Sequence, residues 1–171
     1  MNQKIAVLSD THGNQKLLRT SLQQEEKLDY IFHLGDDYHD LDENFDLLEN
    51  RQLYKVPGIY HSGYADGSLQ RAKSLEIAGW KFLLVHDISD SQRTRSKHDI
   101  VLYGHTHHPA FYQKNGIYYL NPGHLKKSSD RGAAASYCLL IINSNQIEIV
   151  FKNLQNEIIQ TYNISQEKIG G

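Results

Sequence analysis

Cysteine, methionine and tryptophan each occur once among the 171 residues, and proline only three times. The single Cys138 has no partner for an internal disulfide, so a reducing, cytoplasmic setting is expected. The same scarcity excludes a structural zinc site built on cysteines. Long hydrophobic runs are also missing: the longest, residues 137–142, falls far short of the about 20 residues that a membrane-spanning helix needs. Only four apolar residues, 5–8, precede Ser9-Asp10, too few for a secretory core. Nor does either charge dominate. Eighteen Lys and Arg against twenty Asp and Glu give a net charge of −2, which supplies no bulk positive field for nucleic acid. That balance argues against single-stranded nucleic-acid binding through the eleven tyrosines. With 39% apolar and 22% charged residues, the chain has the make-up of a globular protein, and its length suits one domain over 1–171.

What the chain does have is histidine, ten of them. Histidine is the commonest metal ligand among side chains. Placing the histidines requires a coarse reading of the elements. Short apolar runs at 4–9, 30–34, 53–56, 81–86 and 100–103 read as strands. Helical spacing of Leu17, Leu18 and Leu22 predicts a helix over 15–26, and Leu41, Phe45 and Leu48 predict another over 41–49. A further helix is expected over 89–97, with Ser89 as a candidate cap. Hairpins are expected at 74–86 through Gly79 and at 111–120 through Lys114-Asn115-Gly116. Strands at 136–142, 146–152 and 158–164 complete an antiparallel run. Strand–helix units first and hairpins later predict a layered α/β fold with two packed sheets.

Four of these strands end in metal-ligand residues: Asp10 with His12, Asp36, His86, and His105 with His107. The carboxyl ends of strands in α/β sheets form the crevice where ligands bind. The D-x-H and H-x-H spacings let alternate residues of an extended segment point the same way. Two carboxylates and four imidazoles, with no thiolate, suit Mn, Fe, Zn, Ni or Co. Six donors exceed what one tetrahedral ion takes. A pair of ions sharing a carboxylate, about 3.5–4 Å apart, would use them all.

Together, Ser9-Asp10-Thr11-His12-Gly13-Asn14, His33-Leu34-Gly35-Asp36, Val85-His86, Gly104-His105-Thr106-His107 and Asn121-Pro122-Gly123 resemble the calcineurin-like metallophosphoesterase superfamily, in particular its small single-domain bacterial and archaeal phosphodiesterases. The resemblance implies a four-layer α/β/β/α sandwich with two mixed sheets. It implies two divalent ions, manganese foremost, one held by Asp10, His12, Asp36 and His107 and the other by Asp36, His86 and His105. It implies hydrolysis of a small phosphate ester, a diester ahead of a monoester, by a metal-bridging hydroxide.

The chain departs from the family pattern in its third block. Where a ligating Asn is usual, Gly58-Ile59-Tyr60-His61 places Ile59, which has no donor. His61 then has three readings: general acid, replacement ligand, or turn residue. Ile59 also motivates an alternative function, a protein-interaction module on the same scaffold. Asp87 can cap the following helix or orient His86. Arg93, Arg95, Lys97, Lys126, Lys127 and Arg131 could hold a phosphate, although charged surface positions are ordinarily a solvated face. The C-terminal hairpins leave homo-oligomerisation open. His33, His39, His98 and His108 receive no role.

Overall fold

The computed structural model describes residues 2–94 and 96–166. Apolar alternation in the first strand sets the layers. β1 (Gln3–Leu8) sends Ile5 and Val7 to one face and Ala6 and Leu8 to the other, and all four are fully buried. A strand buried on both faces must sit inside a sheet that is itself covered on both sides. β1 pairs in parallel with β2 (Tyr30–His33), which pairs in parallel with β3 (Gln52–Lys55). On its other edge β1 meets the antiparallel meander expected from the sequence. That meander is β11 (Ser136–Ile142), β12 (Gln146–Asn153) and β13 (Ile158–Ser165), giving the order β13-β12-β11-β1-β2-β3.

The second sheet has the order β4-β5-β6-β8-β7. Its members are β4 (Ala72–Ile77), β5 (Trp80–Val85), β6 (Ile100–Leu102), β7 (Ala110–Lys114) and β8 (Ile117–Asn121). β5, β6 and β8 run parallel, while β4 and β7 are antiparallel hairpin partners. Ile5, Val7 and Phe32 of the first sheet pack on Phe82, Leu84, Leu102 and Leu120 of the second. Each such side chain taken fully out of water contributes about 1.5–3 kcal/mol, so this interlayer is the main source of stability. Cys138 lies in the same core, where burial pushes its thiol far up and leaves it inert.

The outer layers are thin. On the first sheet, α1 (Gln15–Gln23) lays Leu18 and Leu22 over Ala6, Leu8 and Ile31, and Asn14 caps it by accepting from Leu17 N at 3.1 Å. The helix expected over 41–49 is interrupted. α2 (Asp40–Glu43) stops at Asn44, and a 3-10 turn follows at Phe45–Leu48. The Asn44 amide donates to the Asp40 carbonyl at 2.7 Å, competing with the helical backbone ladder as short polar side chains do. On the second sheet, the helix expected over 89–97 is a 3-10 segment, Ile88–Arg93, whose cap is Asp87, accepting from Ser89 N at 2.8 Å. Arg95 lies outside the described residues. No helix among the described residues is long and apolar enough to cross a membrane.

A buried carboxylate shared by two lysines ties the end of α1 to the first sheet and makes stability depend on pH. Glu25, 4% exposed, takes Lys4 Nζ at 2.8 Å, the Tyr137 hydroxyl at 2.8 Å and the ammonium of Lys152. Burial opposes its charge, but the bonds from Lys152, Lys4 and Tyr137 outweigh burial and hold the carboxyl below its ordinary value. A depressed folded value gives stability that is complete above the unfolded value, about 4.3, and is lost as pH falls through the folded one. Glu25→Gln is expected to cost about 2–3 kcal/mol at pH 7, less than the loss on breaking a fully buried pair because Lys4 is partly exposed. The deficit should shrink below pH 4. Melting curves of both proteins between pH 7 and pH 3 check this, and a constant deficit would remove Glu25 from the acid limb.

Candidate metal centre

Five of the six strands that pair in parallel deliver their carboxyl ends, with polar residues, to one rim. β1 leads to Asp10 and His12, β2 to Asp36, β5 to His86, β6 to His105 and His107, and β8 to Asn121. The loops are then laced together by the backbone: Asp10 N donates to Gly35 O and His12 N to Asp36 O, each at 3.0 Å, and Gly104 N to His86 O at 3.0 Å. Asp10, His12, Asp36, His105 and His107 all have positive φ, between 48° and 67°. Few non-glycine residues adopt that region, Asp and His being among the more tolerant, and such outliers gather at functional sites.

The result is a tight cluster. Donor atoms of Asp10, His12, Asp36 and His107 lie within 4.8 Å of one another. His12 Nε2 is 3.3 Å from His107 Nε2 and 3.2 Å from Asp36 Oδ2, and His107 Nε2 is 3.2 Å from Asp10 Oδ1. His86 approaches the other oxygen of Asp36, with Nε2 3.4 Å from Oδ1. The His105 ring stands 5.2 Å from the His86 ring, outside the four-residue group, and its backbone N donates to the Asp10 carboxylate at 3.0 Å. All six residues read from the sequence therefore meet at one rim, with Asp36 touching both the His12 side and the His86 side.

Electrostatics favours an ionised Asp10 and a neutral His12 here, and acts on His107 in the opposite sense to His12. Burial resists the charge of Asp10, but His107, His86 and Ser9 overcome it and lower its carboxyl. Burial pushes His12 down, toward the neutral form that ligates. His107 moves up, chiefly through Asp10, with burial opposing and Asp130 assisting.

His86 is the sharpest test of what the cluster suits. Its Nδ1 donates to the Leu34 carbonyl at 2.7 Å, so a neutral ring carries its lone pair on Nε2. That atom is buried, aimed at Asp36, and has no hydrogen-bond partner. A buried imidazole lone pair without a partner, beside the Asp36 carboxylate, is a donor atom that a cation would satisfy. The donor set thus fits divalent metal.

His61 does not join the cluster. Its Nδ1 caps α3 (Ser62–Ala65) by accepting from Gly63 N at 3.0 Å, which is the turn role. The ring also packs against Tyr38 and His39 and lines a cleft of about 370 Å³ beside His12 and Asp36. Asp87 is the cap described above. Lys126, Lys127 and Arg131 are more than a solvated face: they stand 3.7, 3.2 and 3.8 Å from Asp130. Asp130 itself is a residue the sequence did not disclose. It lies buried in the hairpin of β9 (Ser129–Asp130) and β10 (Ala133–Ala134), 2.6 Å from His107 Nδ1. A second hidden support sits below the cluster, where the Thr11 hydroxyl donates to Asp40 and buried His33 Nε2 lies 3.4 Å from the same carboxylate.

Two packed mixed sheets with Asp and His donors along one rim define a metallophosphoesterase-type fold. The sequence profile of the calcineurin-like phosphoesterase superfamily domain matches residues 3–145, and the chain belongs to that family. It is 23% identical over 144 residues to a phosphodiesterase of Methanocaldococcus jannaschii, covering 70% of this chain and 82% of that protein. A solved predicted phosphoesterase of Streptococcus pneumoniae superposes with a TM-score of 0.73 at 23% identity, over 97% of this chain and 99% of that one. The Vps29 protein of Entamoeba histolytica, solved with Zn2+, superposes with a TM-score of 0.67 at 21% identity, over 95% and 99%.

Proposed function

We propose that this chain is a divalent-metal-dependent phosphoesterase with a preference for diesters, working in the cytoplasm. The observation that carries the reading is the convergence of Asp10, His12, Asp36 and His107, extended by the orphaned Nε2 of His86. One ion, manganese foremost, would be held by Asp10, His12, Asp36 and His107, and a second by Asp36, His86 and His105. Held by these residues, divalent ions would supply an activated water at neutral pH and would neutralise phosphoryl charge.

The chain's own groups do the rest. Asp36 sets the spacing between the two donor groups, because its two oxygens face His12 and His86 separately. Lys126 and Arg131, partly exposed beside the cluster, draw an anionic ester toward it. The cleft walled by Tyr38, Tyr60 and His61 has room for a second ester substituent, which supports the diester preference. His61, whose Nδ1 accepts from Gly63 N, carries its ring proton on Nε2 and can donate it in a hydrogen bond to a leaving oxygen at that wall. The phosphodiesterase name of the Methanocaldococcus relative and the zinc of the Entamoeba structure point the same way.

The test is hydrolysis by metal-stripped protein before and after Mn2+ addition, on an aryl and an alkyl phosphodiester. Both should be cleaved only with Mn2+. His61→Ala should slow the alkyl ester by about 10²–10⁴-fold, since its poor leaving group needs the proton, and the aryl ester far less. Ion-loaded protein inert toward both esters would contradict the enzyme reading. It would favour an interaction module, the alternative supported by Ile59 and the Vps29 likeness.

A further inference from the structure

We infer that Asp130 is a positioning residue for the metal centre, accepting Nδ1–H from His107 and so fixing the tautomer that leaves Nε2 free to ligate. This rests on the metal-dependent reading above. The two side chains are both buried and 2.6 Å apart, the separation of a charge-assisted bond. A neutral imidazole has one donor nitrogen, so a carboxylate at Nδ1 assigns the lone pair to Nε2. Nε2 is the atom that faces Asp10 at 3.2 Å and His12 at 3.3 Å.

His86 shows the same arrangement made differently, with the Leu34 carbonyl at its Nδ1. Two of the four imidazoles are thus turned with Nε2 inward by a partner on the far nitrogen. The carboxylate version also raises ligand basicity and resists rotation of the ring.

The local sequence keeps Asp130 charged and in place. Lys127 at 3.2 Å, Lys126 at 3.7 Å and Arg131 at 3.8 Å surround the carboxylate. The β9–β10 hairpin is two residues a side and joins neither large sheet. A hairpin that small is not stable alone, so its fixation comes from the site. Arg131 Nη1 donates to the His105 carbonyl at 2.8 Å, and Asn14 Nδ2 to the Lys126 carbonyl at 2.8 Å. The segment therefore grips the His105–His107 loop and the loop after β1 while presenting Asp130 between them.

The experiment compares wild type, Asp130→Asn and Asp130→Ala, all full chain. Metal-free protein is read by nitrogen NMR of the histidine rings and by melting temperature, then titrated calorimetrically with Mn2+. The proposal expects a protonated Nδ1 on His107 in wild type and a mixed or switched tautomer in Asp130→Asn. It expects Mn2+ affinity to fall about 10–100-fold in Asp130→Asn, and further in Asp130→Ala, while the metal-free melting temperature of Asp130→Asn stays near wild type. Unchanged tautomer and affinity in a folded Asp130→Asn protein would overturn it. Wild type that binds no Mn2+ yet loses the tautomer in the variant would sink the metal reading and leave the positioning of His107 standing.

Discussion

Asp36→Asn is expected to lower kcat/KM for a phosphodiester by about a thousandfold, the upper range for removing one charge-stabilising group. Asp36 is the residue whose two carboxylate oxygens approach imidazoles on opposite sides, His12 at 3.2 Å and His86 at 3.4 Å. Losing its charge weakens both proposed ion sites together, whereas losing any single imidazole weakens one. Asparagine tolerates the left-handed backbone that Asp36 adopts at φ 57°, so the variant should fold and its defect be one of chemistry. Calorimetric titration with Mn2+ should show markedly weakened binding beside the kinetic loss. Retention of wild-type turnover would remove Asp36 from the reaction.

Gly58→Ala should do comparable harm by geometry alone. A methyl at Gly58 would overlap Asp36 Oδ1 and lie 2.5 Å from the Asp36 backbone N and 2.9 Å from its Cα. The carboxylate could swing aside, but the backbone atoms cannot, so the strand-end loop carrying Asp36 must shift. Overpacking of this kind costs about 1–3 kcal/mol, and each kcal/mol is about 2–4 °C in melting temperature for a chain of this size. The displaced carboxylate should also cut Mn2+ affinity, since a shift well under 1 Å matters for ligation. Melting and titration of the variant test both effects. Unperturbed ion binding would show that Asp36 does not depend on this contact.

The ligand residues legible in the sequence share a physical property: each lies just past the buried carboxyl-terminal part of a short strand. Ala6, Leu8, Phe32, Leu84 and Leu102 are buried, so the apolar runs are unbroken and their ends are sharp. Parallel pairing within each sheet brings Asp10 beside Asp36 and His86 beside His105, and packing of the two sheets brings the two pairs to one rim. Helices were less legible because spacing alone does not register local competition. Leu41, Phe45 and Leu48 keep helical spacing, yet the Asn44 side chain breaks the segment between them, and Phe45 ends 77% exposed.

Support residues were hidden for a different reason. Asp130 sits in Lys126-Lys127-Ser128-Ser129-Asp130-Arg131, which reads as a charged turn, and its partner His107 is 23 positions away. Two-residue strands such as β9 and β10 have no periodicity to detect. His33 closes β2 much as His86 comes directly after β5, yet the sequence alone gives it no role. It lies beneath the cluster against Asp40 and Thr11, a distinction only the third dimension makes.

The most direct measurement is anomalous X-ray diffraction from crystals of the protein grown with Mn2+, recorded at the manganese edge. Two peaks are expected, one among Asp10, His12, Asp36 and His107, the other where Asp36 faces His86 and His105. Absence of any peak at this rim, with the six side chains left unligated, would contradict the account.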